Sequence, residues 1–492
     1  MYSLYIKVGM TYTLWLIRDN KGAIMMHILE VFIYLLSVLM MWILMSKKTI
    51  KKQFVIALLS VTILVIILHL VIDGTRWQLY TLYLAVLMIE IMISIKTIMN
   101  ISLKKRIRII TNVVFSTLIV ISFIAAIVFP IYEIPTPTGD YLIGTESFVI
   151  EDETRYELYG DDSTEFRKIK IQIWYPAESV DGYEQAPWLE DGAVVSRALS
   201  KDFGFPSFFL DQTADIMSNS YVGAPISNAS ANYPVIIISH GWRGFRNVHT
   251  DYAEELASQG YIVIGIDHTY GSVATFFSED DIAYINRDAL PPRETTPDFL
   301  DYANQLVYTY ASDITTTLNY LEEINDSSNP SRFSELLDLE KIGLLGHSTG
   351  GGADVAIALN DDRIDAVMGL DAWVEPIDET EISKGLSIPS LFLRSGAWET
   401  RDNNANLYSL IENSTVPSNL YQIDGTTHFD FAMDYMYSPL TKYIGMSGTV
   451  QEEYLNSILK SLITDFFNET LRNDTSSEIN SNEWEEVRNV TP

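Results

Sequence analysis

Ile342-Gly343-Leu344-Leu345-Gly346-His347-Ser348-Thr349-Gly350-Gly351-Gly352 is the stretch whose reading decides the fold. An apolar run leads into a serine hemmed in by small residues, and an alanine-rich stretch continues to about residue 360. That order reads as a buried strand, a very tight turn and a helix. A serine on such a turn stands exposed above the sheet, with backbone N–H groups beside it. The glycines belong there because the chain must bend sharply and a substrate must come close. Ser348 is therefore the candidate nucleophile.

A serine hydroxyl needs a base to take its proton, and the base needs a carboxylate to fix its tautomer. In the α/β-hydrolase arrangement the order along the chain is serine, acid, histidine. Of the seven histidines, His27 and His69 lie in apolar segments, His240, His249 and His268 precede the serine, and His347 belongs to the turn itself. Only His428 follows, in Gly425-Thr426-Thr427-His428-Phe429-Asp430-Phe431. The expected acid is Asp371, at the end of the apolar run 366–370, because catalytic groups gather at the carboxyl edge of a parallel sheet. Asp365 precedes that run and falls at the wrong edge, while Glu375, Asp424 and Asp430 are alternatives. The oxyanion donors are expected to be the N–H of Thr349 and the N–H of Trp242, the latter from Ser239-His240-Gly241-Trp242-Arg243-Gly244.

Around these residues the chain alternates between short β-branched runs and helical stretches. Strands are predicted at 147–150, 169–174, 235–239, 261–267, 341–345, 366–370, 390–394 and 420–423. Helices are predicted at 251–259, 297–323, 351–359, 403–411 and 451–467. This is a βαβ rhythm with a mostly parallel sheet. Pro135-Thr136-Pro137-Thr138-Gly139 marks a stiff linker, assigned to 134–146, and the catalytic domain is expected over 147–470. The polar stretch 471–492 reads as a disordered tail.

The first quarter reads differently. Residues 23–45, 54–72, 79–95 and 109–131 form four apolar segments, each about long enough to cross a bilayer as a helix, so 1–133 reads as a four-helix transmembrane domain. Their number and length argue against a signal peptide. Lys47, Lys48, Lys51 and Lys52 lie between the first two segments; Lys96, Lys104, Lys105, Arg106 and Arg108 lie between the last two. The positive-inside rule places both loops in the cytoplasm and everything after about Glu133 outside, although Lys7, Arg18 and Lys21 run counter to it. Glu30 and Glu90 fall within the spans and read as packing or interface groups. Residues 1–135 carry 13 Lys/Arg against 5 Asp/Glu, about +8, and the remainder 20 against 59, about −39. So acidic a domain repels nucleic acid. With no cysteine, neither disulfides nor thiolate metal sites form. That fits an exported domain of a prokaryotic membrane protein, and no metal or cofactor is expected.

The soluble part resembles the platelet-activating-factor acetylhydrolase group of α/β-hydrolases, the lipoprotein-associated type, over roughly 145–435. The resemblance rests on Ile238-Ser239-His240-Gly241 with Phe245-Arg246, Asp251-Tyr252-Ala253, Leu256 through Tyr261, and Val263 to His268. It continues in Gly346-His347-Ser348-Thr349-Gly350-Gly351, Leu370-Asp371-Ala372-Trp373, and Gly425 to His428 with Phe431. It implies a Ser348–Asp371–His428 triad, with oxyanion donors at Trp242 and Thr349. Where the family commonly has Phe after His-Ser, this chain has Thr349; where small or aliphatic residues follow His-Gly, it has Trp242 and Arg243. Four preceding apolar segments are also not part of the animal enzymes.

The expected activity is hydrolysis of carboxylic esters by a membrane-anchored serine hydrolase, on lipid or short or modified acyl esters. The same triad also supports hydrolysis of aryl or polyester substrates and acyl transfer, and a catalytically silent sensor or scaffold is the remaining alternative. Trp242, Arg243, Phe276, Trp373 and Phe429 are candidates for the pocket walls. Stretches 187–221, with Phe203, Phe205, Phe208, Phe209 and Leu210, and 276–300 are candidates for a lid. The sequence sets no oligomeric state.

Overall fold

Among the described residues of the first quarter, long and largely apolar runs make four long helices: α1 (Ile28–Met45), α2 (Lys52–Ile72), α3 (Tyr80–Ile98) and α4 (Lys105–Val128). The computed structural model describes residues 27–47, 50–101, 103–329, 331–474 and 483–492. Lys7, Arg18, Lys21 and Lys48 lie outside the described residues. The chain divides into two units, Met1–Tyr132 and Glu133–Pro492. Among the described residues of the first unit, four helices are long and apolar enough to cross a membrane.

Within that unit, Ile33, Met40, Leu82 and Ile89 are buried between helices, while Leu35, Trp42, Leu64 and Val71 project outward. Glu30 does not stand alone: its carboxylate takes both Nε (2.8 Å) and Nη2 (2.5 Å) of Arg76, all buried. A charge among apolar helices persists only with such a fork-to-fork partner. Lys96 donates to the carbonyls of Ile43 (2.9 Å), Leu44 (3.2 Å) and Ser46 (2.9 Å), satisfying the open end of α1.

The second unit alternates strand and helix as its sequence predicts. Its strands are β1 (Leu142–Tyr156), β2 (Phe166–Ala177), β3 (Gln185–Pro187), β4 (Met217–Val222), β5 (Tyr233–Ser239), β6 (Ile262–Asp267), β7 (Ala274–Ser278), β8 (Asp281–Tyr284), β9 (Leu337–His347), β10 (Ala366–Leu370), β11 (Ser390–Ser395), β12 (Ser418–Ile423) and β13 (Val487–Asn489). Its helices are α5 (Gly192–Asp202), α6 (Thr250–Ser258), α7 (Phe299–Asn325), α8 (Thr349–Ala358), α9 (Glu379–Ile382), α10 (Asn403–Asn413) and α11 (Glu452–Arg472). Eleven strands form one sheet in the order β13-β12-β11-β10-β9-β5-β6-β2-β1-β4-β3, and β7 and β8 form a separate hairpin. From β12 to β6 every neighbour is parallel. Antiparallel β2 and β13 flank that run.

The buried strands are apolar on both faces, as a sheet covered on both sides requires. Val235 and Ile237 of β5 join Leu344 and the helices α7 and α8 in one core; Ile236 and Ile238 join Leu345, Met368, α6 and α11 in the other. The alternation is the period-2 consequence of the pleat. Truncating a residue such as Leu344, 0% exposed, to alanine costs roughly 2–5 kcal/mol. Register aligns Ser239, Gly346 and Gly369 across β5, β9 and β10, so these strands end together at one carboxyl edge.

The ends of the domain depart from expectation. Strand β1 begins at Leu142, inside the stretch assigned to the linker, because Ile143 and Thr145 are already buried against β2. The preceding residues are tied down too: the N–H of Thr138 donates to Glu255 Oε2 (3.0 Å) and that of Gly139 to Ser258 Oγ (3.0 Å). At the other end, Val487–Asn489 of the expected disordered tail pairs with β12 as β13. Three residues are too short to carry a periodic signal. Positions 475–482 of that tail lie outside the described residues.

Candidate active site

The turn between β9 and α8 carries Ser348 at φ 55°, ψ −119°. A non-glycine residue rarely adopts positive φ, and it persists only where surroundings over-determine it. Here the N–H of Ser348 donates to Leu370 O (3.0 Å), while its carbonyl accepts from Gly352 N (3.0 Å) and Trp373 N (2.9 Å). The glycines make this packing possible. A Cβ on Gly350 would lie 2.2 Å from the carbonyl oxygen of Ser239, and one on Gly346 would lie 2.6 Å from Gly351 Cα. Helix α8 starts at Thr349, so its unpaired amides and positive end lie beside the serine.

Asp371 follows β10 directly, again at positive φ (43°), with its N–H on Leu393 O (2.8 Å). Its carboxylate is fully buried and receives three hydrogen bonds. Ser395 N donates to Oδ1 (2.8 Å), Ser395 Oγ donates to Oδ2 (2.6 Å), and His428 Nδ1 lies 2.9 Å from Oδ2. Thr427 and Asp430 form a capping box around the His428 turn, and Asp430 Oδ2 also accepts from Gly448 N (2.8 Å). The alternative acids are thus committed elsewhere. Asp430 caps its own loop, Asp424 pairs with Arg488, Glu375 pairs with Arg293, and Asp365 accepts Ile342 N at the far end of the sheet.

The His428 imidazole stacks on one ring and meets a second at a tilt. Trp398 lies parallel to it, centroids 4.5 Å apart and planes at 9°, and His347 lies at 4.4 Å and 38°. His347 Nε2 donates to the His428 carbonyl (3.0 Å), and burial holds its pKa well below the usual value, so it stays neutral beside a base that gains charge in turnover. Trp398 and Ser395 were not anticipated from sequence. Both stand at the carboxyl end of β11, the edge where such groups gather, and that position was the signal available.

The loop after β5 supplies donors. A Cβ added to Gly241 would meet Ser348 Cβ at 3.0 Å, so this loop touches the nucleophile. Arg243 N is committed to Gly271 O (3.0 Å) and Gly244 N to Gly241 O (2.9 Å). Among the described residues the N–H groups of Trp242 and Thr349 have no protein partner. His240 braces the loop: its Nδ1–H donates to Gly241 O (2.7 Å) and Nε2 accepts from Ser272 Oγ (2.8 Å), with burial pushing its pKa down to about 3.

Ser348, Thr349 and His428 open onto a cavity of about 680 Å³. Trp242, Arg243, Trp373 and Phe429 line it, together with Trp398. Phe276 does not. It sits on the β7–β8 hairpin, with the Lys170 ammonium 5.6 Å from its ring centroid, and its segment reaches the cavity through Leu290 and Arg293 instead. The other lid candidate contributes Leu199, Asp202 and Phe203 from the end of α5.

A family model described as platelet-activating factor acetylhydrolase, isoform II, matches residues 126–488. A platelet-activating factor acetylhydrolase of Canis lupus familiaris is 25% identical over 293 residues, which are 55% of this chain and 62% of that protein. The Gallus gallus protein of the same name is 22% identical over 61% of this chain and 74% of its own length. A probable 1-alkyl-2-acetylglycerophosphocholine esterase of Arthroderma benhamiae is 23% identical, covering 55% of this chain and 67% of that one. The match thus spans less than two thirds of the canine relative's length. Among solved structures, a ferulic acid esterase from Streptomyces cinnamoneus superposes with a TM-score of 0.59 at 22% identity, covering 73% of this chain and 99% of that one. That likeness, with the strand order above, makes the second unit an α/β-hydrolase fold.

Proposed function

The chain belongs to the platelet-activating factor acetylhydrolase, isoform II, family, and from that premise we propose that it is a membrane-anchored serine hydrolase of carboxylic esters. The observation that carries the reading is the contact of His428 Nδ1 with the buried Asp371 Oδ2 at 2.9 Å, behind a cavity that His428 and the strained Ser348 both line.

The mechanism follows from which groups are free and which are committed. Asp371 fixes the proton of His428 on Nδ1, leaving Nε2 to take the Ser348 proton as Oγ attacks the ester carbonyl. The free amides of Trp242 and Thr349, with the positive end of α8, stabilise the tetrahedral oxyanion. His428 then returns the proton to the leaving alcohol. Water activated by the same imidazole clears the acyl-enzyme. The stacked Trp398 face favours the imidazolium that forms between these steps.

Anchoring rests on the four apolar helices, and the Lys/Arg-rich loops favour an extracytoplasmic hydrolase domain. A catalytic domain held at a bilayer meets esters that partition into it, so lipid or short or modified acyl esters are the favoured substrates. A second reading, aryl esters, draws on the three tryptophans of the cavity wall, Trp242, Trp373 and Trp398.

The deciding experiment sets p-nitrophenyl esters of increasing chain length against glycerophospholipids with short and long sn-2 chains, using the full chain in liposomes. Release of short sn-2 acyl groups, inhibited competitively by the p-nitrophenyl esters, is the expected outcome. Turnover of aryl esters with no acyl release from any glycerophospholipid overturns the lipid assignment. Protease added to intact cells should degrade the chain after Glu133; a reporter fused after Pro492 that works only in the cytoplasm overturns the orientation.

A further inference from the structure

The oxyanion loop of this chain is strained at a position beside one of its donors. Arg243 follows Trp242 and adopts φ 69°, a conformation an arginine rarely holds unaided. On its inner side the loop is fixed by backbone: Arg243 N on Gly271 O (3.0 Å) and Val273 N on Gly244 O (2.9 Å). Its outer side is held by charge. The Arg243 guanidinium donates through Nε to Asp202 Oδ2 (2.6 Å), with Nη2 on the same oxygen. Asp202 takes a second arginine on its other oxygen, Arg287 Nη2 at 2.5 Å, and Arg287 also donates to the Asp202 carbonyl (3.1 Å). The Asp202 carboxylate is 5% exposed, whereas Arg243 is 40% and Arg287 64% exposed. The acid is therefore the enclosed hub and the arginines are its arms.

Three segments meet at that hub: the end of α5, the oxyanion loop and the turn after β8. Asp202 and Arg243 both line the cavity onto which Ser348 opens. We propose that Asp202, acting through Arg243, is a positioning residue that clamps the oxyanion loop so that the Trp242 N–H points at the developing oxyanion. The clamp rests on the serine-hydrolase reading above. The charge at 243 is spent on the clamp, and its peptide N–H is turned away to Gly271, leaving Trp242 as the donor. An oxyanion donor is worth most in the transition state and little in the ground state. Loosening the clamp should therefore lower kcat and leave KM nearly unchanged.

The test uses the purified full chain in liposomes with p-nitrophenyl butyrate, every rate normalised to active sites titrated with a fluorophosphonate. Asp202→Asn should lower kcat by roughly 10-fold or more, part of the 10²–10³-fold lost with a whole donor, with KM within about 2-fold. Affinity for an alkyl trifluoromethyl ketone, which forms the tetrahedral adduct, should fall by the same factor as kcat/KM. Arg243→Lys should retain most of the activity, whereas Arg243→Met should match Asp202→Asn. That pair reads the clamp even if Asp202→Asn fails to fold. A residue that served stability alone would lower the titrated fraction and change neither kcat per site nor adduct affinity. Unchanged values in the Met variant overturn the clamp while leaving the hydrolase reading intact. Full turnover in Ser348→Ala would instead overturn the hydrolase reading.

Discussion

Asp371→Asn should abolish most of the activity without unfolding the chain, and the geometry shows why. The asparagine must place its NH₂ where one carboxylate oxygen now sits. At the Oδ1 position that NH₂ would face the N–H of Ser395, now at 2.8 Å, two donors with no freedom to rotate. At the Oδ2 position it faces the Ser395 hydroxyl, which can turn and accept, and His428 Nδ1 at 2.9 Å. The amide therefore settles there and donates to Nδ1. His428 must then carry its proton on Nε2, the atom that has to accept one from Ser348. A wrong tautomer of this kind costs on the order of 10⁴-fold in kcat in a serine protease, about 5 kcal/mol of transition-state stabilisation. The loss should shrink at high pH, and the thermal unfolding midpoint should move little, because the hydrogen bonds are replaced rather than deleted. The assay is p-nitrophenyl butyrate turnover by the full chain from pH 6 to 10, with thermal unfolding in parallel. Near-normal turnover in Asp371→Asn refutes the reasoning, all the more if Asp424→Asn or Glu375→Gln is inactive.

Trp398→Leu removes the stacked face from His428 and should lower kcat roughly 10-fold, the scale of a partly desolvated cation–π contact, with Trp398→Phe recovering most of it; steady-state kinetics reads both. Gly350→Ala drives a methyl to within 2.2 Å of the Ser239 carbonyl oxygen and should cost about 3 kcal/mol, the upper end of what overpacking typically costs, seen as a large drop in the unfolding midpoint or loss of soluble chain. Burial, the largest cause, pushes His240 and His249 down to about 3 from an ordinary 6.5. The unfolded chain then binds more protons below pH 6.5, so their contribution to stability is whole above 6.5 and lost as pH falls toward 3. His249→Phe should reduce proton uptake on unfolding across that window by about one, measured from the pH dependence of the unfolding free energy.

The elements that could be read from sequence were those whose signal is local. The apolar run into Gly346-His347-Ser348 marks β9 and its turn because sheet burial and close backbone approach both constrain the residues there. Asp371 and His428 were legible from chain order and strand ends. What escaped depends on distant parts of the chain. Trp398 gains its role only because β11 ends beside the His428 loop. Asp202 gains its role only where α5 meets the oxyanion loop, 41 positions along from it. Phe276 looked like a pocket residue by composition, but its hairpin turns the ring toward Lys170. Strand β13 was hidden by polar residues because an edge strand needs its backbone more than its side chains.

Covalent capture at Ser348 tests the central claim most directly. A fluorophosphonate incubated with the full chain should label one residue, identified by peptide mass spectrometry as Ser348, and both label and ester turnover should vanish in Ser348→Ala. Labelling at a different serine, or turnover that survives in Ser348→Ala, would contradict the account.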